Sequence, residues 1–188
     1  MALSKITNGG VATSGIPSGG VIQTVSHMET GTGTYSIPGS ARTYVRLVAA
    51  NAASGTAHIS ATITPSSTSS RILIMSNVFF EPSANEHETL FTLFRDSTQL
   101  GSTGSGNRPG GMAMIRIGHH NQDNDSTPDG ATVQFIDSPS STSAITYSLA
   151  FCHSSTSGTF YLNKSVSDTD SVAYERGTSS IILQEIAG

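Results

Sequence analysis

The chain has 188 residues, a formal net charge of −4, no Trp, one Cys, and charged side chains at only 12% of positions, with Ser and Thr filling 54. No basic block is present, which argues against a nucleic-acid surface, and no apolar run approaches the roughly 20 residues of a membrane-spanning helix. Long amphipathic helices need more Lys and Glu than this, whereas short strands joined by Ser, Thr, Gly, Asn and Asp turns suit the composition.

Residues 1–20, "MALSKITNGGVATSGIPSGG", carry little periodicity and scattered apolar side chains. They read either as a disordered tail or as an extended arm that gains order on a partner, with Leu3, Ile6, Val11, Ile16 and Pro17 as the arm's anchors. The opening lacks the apolar core of a signal peptide, and Cys152 has no partner for a disulfide. Synthesis in a reducing cytoplasm is expected. The expected division is an arm and linker over 1–28 and a β domain over 29–188.

Strand signals follow in order. "VIQTV" is short, and "GTGTYSIPGS" reads as a connection. "RTYVRLVA" alternates, and "HISATITP" places Ile59, Ala61 and Ile63 on one face. "RILIMSNVFF" is apolar on both faces: Ile72, Ile74, Val78 and Phe80 against Leu73, Met75 and Phe79. "LFTLFRD" repeats this, with Leu90 and Phe94 opposed to Phe91 and Leu93. "MAMIRIGHH", "ATVQFID", "AITYSLAFCH", "GTFYLNKS" and "SSIILQEIAG" complete about nine strands, with no credible helix. The pattern predicts an all-β antiparallel sandwich. An eight-stranded jelly roll is the first expectation, and a Greek-key sandwich of another order the second.

The candidate chemistry is sparse. "GSTGSGNRPGG" has neither the dinucleotide nor the P-loop spacing. His119 and His120 are neighbours, so on a regular strand they face opposite ways. Asp123, Asp125 and Asp129 share one polar stretch but depart from the EF-hand pattern. They are the weak metal candidates of a chain otherwise expected to need no cofactor. Glu86, His87 and Glu88 suggest no more than a chance grouping, and no enzymatic activity is expected. Asn124 and Asn163 each open an N-x-Ser pattern.

The two-faced strands raise the main question. One face enters the core; the other needs cover, from the arm or from a second subunit. Leu73, Met75, Phe91 and Leu93 are accordingly the expected subunit-interface residues of a homo-oligomer.

"MALSKI…GIPSGGVIQTVS" resembles the opening of structural proteins from marine tailed bacteriophages, including cyanophages. "ITPSSTSSRILIM", "FTLFRDSTQLG", "FIDSPSSTSAITYSLAF", "GTFYLNKS" and "SSIILQEIAG" are similar, in that order, to segments of phage fibre-like and virion-surface domains. The resemblance implies a trimeric β-sandwich at the virion surface, made in the host bacterium. Its partners would be phage capsid or tail proteins. The implied role is capsid decoration or a head appendage held by the arm. The alternative is a tail fibre or tail-associated module that recognises host surface glycan.

Overall fold

The computed structural model describes residues 16–40, 42–83, 88–101, 104–115 and 126–188. Two antiparallel sheets of six strands each face one another. The first holds β1 (Val21–Glu29), β2 (Gly33–Ser36), β5 (Arg71–Pro82), β9 (Asp129–Asp137), β11 (Thr159–Leu162) and β12 (Ser179–Ile186). The second holds β3 (Val45–Arg46), β4 (Ser60–Ile63), β6 (Thr89–Arg95), β7 (Thr98–Gln99), β8 (Ala113–Ile115) and β10 (Ile145–His153). Among the described residues the helical content is a three-residue 3₁₀ turn, Ala49–Asn51.

Several strands are broken halves of one row. β1 and β2 share a row, as do β3 with β4, β7 with β8, and β11 with β12. The chain then runs through eight rows. Row one pairs with row eight, two with seven, three with six and four with five. That nesting is the jelly roll. The expected sandwich is present, and its order is the first of the two expected.

The core forms because strand side chains alternate between faces. On β5 Ile72, Ile74, Val78 and Phe80 are at most 1% exposed. On β10 Ile145, Tyr147, Leu149 and Phe151 face them from the other sheet. An aromatic cluster joins the layers. Phe160 lies between Phe80 and Phe151, stacked at 5.3 Å and 4.0 Å between ring centroids, and Phe91 meets Phe80 edge-on at 4.8 Å. Such pairs contribute about 0.5–1.5 kcal/mol each beyond area burial.

Polar side chains close the sandwich. The Tyr147 hydroxyl donates to Asp137 Oδ2 at 2.7 Å, and Arg95 pairs with the same carboxylate at 3.0 Å, tying β6 and β10 to β9. Glu185, buried, accepts from the Ser66 N–H and hydroxyl and the Ser70 hydroxyl, all at 2.7 Å, and from Gln23 at 2.6 Å. The Ser-rich loop after β4 therefore replaces water around a buried carboxylate. Asn163, at φ +60°, donates to the carbonyls of Glu29 and Gly31 and accepts from the Ser179 hydroxyl. Its amide ties β1 and β12 to the end of β11, and its backbone N–H donates to the Phe79 carbonyl of β5 at 2.9 Å, so this N-x-Ser asparagine is structural.

Three expectations need correction. Residues 21–28 are not linker: β1 pairs along β12 from Val21↔Ile186 to Glu29↔Ser179. β2 lies within the stretch read as a connection. Phe91 and Leu93 are fully buried between the sheets of a single chain. Their cover is the facing sheet, because they sit on the inward phase of β6, and no second subunit is needed for them.

Candidate functional site

What covers the outer face of β6 is also local. Tyr44 packs against Phe94, with ring centroids 6.2 Å apart, and its hydroxyl donates to the Gly110 carbonyl. Gly111 lies on Leu90: a Cβ there would stand 3.2 Å from both the Leu90 Cβ and the Phe91 carbonyl, so glycine allows the close approach. Arg42 and Glu88 pair beside it. Glu88 is thus an ion-pair partner, while Glu86 and His87 lie outside the described residues. Beneath this cover sits Cys152, fully buried, and burial pushes its thiol pKa up. A buried, protonated thiol is a poor nucleophile.

The outer face of the first sheet differs. Leu73, Met75, Asn77 and Phe79 of β5 point outward; so do Thr132, Gln134 and Ile136 of β9, Ser180, Ile182 and Gln184 of β12, and Thr24, Ser26 and Met28 of β1. Register places these side by side: Leu73 lies between Ile136 and Gln184, and Met75 between Gln134 and Ile182. Ile136 is 50% exposed and Met28 69%. Leu73 and Met75 are half-buried by their neighbours alone. Within this span none of these side chains carries a charge, which is unusual for an open sheet face in water.

The arm residues divide. Leu3, Ile6 and Val11 lie outside the described residues. Ile16 is half-buried and lines a cavity of about 330 Å³ with Ile22, Ser66, Ser70 and Ala187. Pro17 is exposed, and its carbonyl accepts from the Gly20 N–H at 2.8 Å. Gly19 and Gly20 exchange 2.8 Å backbone bonds with Ala187. Residues 16–20 are therefore clasped to the end of their own β12.

Of the metal candidates, Asp123 and Asp125, like His119 and His120, lie outside the described residues. Asp129 begins β9, paired with Phe80, and is half-buried in a strand rather than in a loop. A cluster absent from the sequence reading is present elsewhere. His27, Glu29 and His58 bring one potential ligand atom each to within 4.8 Å of one another. No linear signal marks it, because His58 stands 31 positions after His27 (58 less 27) and meets it only through the fold.

No protein-family model and no curated protein matches the chain. Among solved structures it is similar to capsid protein VP2 of infectious bursal disease virus. The subviral particle gives a TM-score of 0.37 at 10% identity over 88% of this chain and 38% of that one. The Gt strain gives 0.38 at 10% identity, over 100% and 41%. The chain spans about two fifths of the length of those proteins. A likeness this remote bears on neither its chemistry nor its partners.

Proposed function

We propose that the chain is a non-enzymatic structural protein of a tailed-bacteriophage virion, a jelly-roll domain that assembles with copies of itself. The reading places it as a trimeric decoration or appendage on the head, held by its first 15–20 residues. The carrying observation is the uncharged centre of the first sheet's outer face, Leu73, Met75, Ile136 and Ile182, with charge at the two ends of β5: Arg71 at one, Glu175 and Arg176 beside Phe79 at the other. A second copy is the occupant this face suits. Its centre presents no like charges to be buried against each other, and its Gln, Asn, Ser and Thr side chains offer both donors and acceptors to a matching surface. Covering each large apolar side chain is worth about 1.5–3 kcal/mol. The virion setting is supported by the ordered segments that resemble phage structural proteins.

One observation favours the tail-associated, glycan-recognising alternative. Phe79, 37% exposed, lines a pocket of about 330 Å³ with Pro128, Glu175 and Arg176. An aromatic edge beside charged hydrogen-bonding groups is a combination that sugars use.

Imaging gold-labelled antibody against the domain on intact particles tests the proposal. Many labels over the head are expected. A few labels at the tail would favour the alternative, and none anywhere on the particle would remove both.

A further inference from the structure

We propose that His27, Glu29 and His58 form a binding site for a late first-row transition-metal ion of the Zn²⁺ class, bridging the margins of the two sheets. His27 and Glu29 are two positions apart on β1, so the period of a strand puts both on one side. His58 precedes β4 in the segment held by the Ile59 N–H to the Leu47 carbonyl at 2.9 Å. Its own N–H donates to Glu29 Oε2 at 2.9 Å. Glu29 Oε1 accepts from the Gly31 N–H at 2.8 Å. These two bonds fix the carboxylate and leave each oxygen a further lone pair.

The rings are equally placed. They stack with centroids 4.4 Å apart and planes 14° from parallel. His58 Nδ1 stands 3.0 Å from the Thr56 carbonyl and 3.7 Å from Glu29 Oε2, so on binding it would give up that carbonyl for the ion. His27 Nε2 is buried, lies 3.4 Å from Glu29 Oε2, and makes no hydrogen bond of proper geometry. A buried ring nitrogen without a hydrogen-bond partner, aimed at a fixed carboxylate beside a second imidazole, is what a metal ion would complete.

The donor set selects the ion. Two imidazoles and one carboxylate suit Zn²⁺ and its neighbours and are foreign to Ca²⁺ or Mg²⁺, which take oxygen. Ligands on a tetrahedral Zn²⁺ stand about 3.3 Å apart. Closing the present span of up to 4.8 Å requires the two stacked rings to turn out of parallel, because lone pairs in near-parallel planes do not meet at one ion; the side chains of His27 and His58 are each 30% exposed. Three protein ligands leave a fourth position for water or for a group from another subunit. Bound metal would clamp β1 to the segment entering β4, joining the two sheets at their edge.

The test is calorimetric titration of tag-free, chelator-washed full-length chain with ZnCl₂. One ion per chain with micromolar or tighter Kd is expected, with no heat from CaCl₂. His27→Ala and His58→Ala, checked for folding by circular dichroism, should each weaken binding on the order of 100-fold. Proton–nitrogen NMR of the wild-type rings needs no variant: among the six His, the signals of His27 and His58 should move with Zn²⁺. Absence of saturable binding, unchanged binding in both variants, or shifts confined to other His would overturn the proposal.

Discussion

Leu73 on β5 and Ile136 on β9 are register partners, and both point away from the core. Across β5, the next outward pair is Met75 with Ile182 of β12. Four apolar side chains thus form one cluster at the uncharged centre of that face. The same β5 sends Ile72, Ile74, Val78 and Phe80 inward. One strand therefore serves two apolar surfaces, of which the described residues cover one.

The two surfaces should respond differently to the same insult. Leu93→Asp puts a carboxylate where the side chain is fully buried between the sheets. The cost exceeds about 4 kcal/mol, and the domain should fail to fold. Near-UV circular dichroism and proton NMR dispersion would show it. A well-folded Leu93→Asp chain would remove Leu93 from the core.

Glu185 should give the fold part of its acid sensitivity. Burial by itself raises its pKa, but the bonds from Ser70, Ser66 and Gln23 together outweigh burial and leave the carboxyl below its ordinary value of 4.5. A depressed folded pKa stabilises the fold above the unfolded pKa. That contribution is lost as pH falls through the folded value. Urea midpoints measured from pH 7 to pH 3 should fall with acid in the wild type and fall less in Glu185→Gln. At pH 7 the variant should be less stable by about 1.5–3 kcal/mol.

Asn163 combines a left-handed backbone with a fully buried amide. Asn163→Ala removes three hydrogen bonds and places a Cβ-bearing residue of low αL propensity there. A loss of about 2–4 kcal/mol is expected in urea denaturation. Asn163→Gly relieves the backbone alone and should recover only about 1 kcal/mol of it. Equal stability of Asn163→Ala and wild type would contradict the bonding described.

Truncation should separate arm from domain. Removing residues 1–15 leaves the clasp of Gly19 and Gly20 on Ala187 in place. The shortened chain should keep its melting temperature and lose attachment to particles. Retained attachment would move the virion contact to the sandwich.

Alternation made most strands legible. Ile145, Tyr147, Leu149 and Phe151 were separable from Thr146, Ser148, Ala150 and Cys152 by period alone, and the inward set of β5 likewise. Phase within a two-faced strand was not legible. Phe91 and Leu90 are equally apolar, and only the position of Tyr44 and Gly110 shows which face is inside. Short strands such as Thr98–Gln99 carry too few residues for a period. Pairing of row one with row eight, and the meeting of His27 with His58, depend on contacts far apart in the chain.

Sedimentation velocity of the wild-type domain at micromolar concentration, beside Met75→Asp, tests the central claim most directly. The expected result is an oligomer for the wild type and a folded monomer for Met75→Asp, since a charge buried at a subunit contact is unpaired. A monomeric wild type, or a Met75→Asp chain that sediments as the same oligomer, would contradict assembly through the outer face of β5.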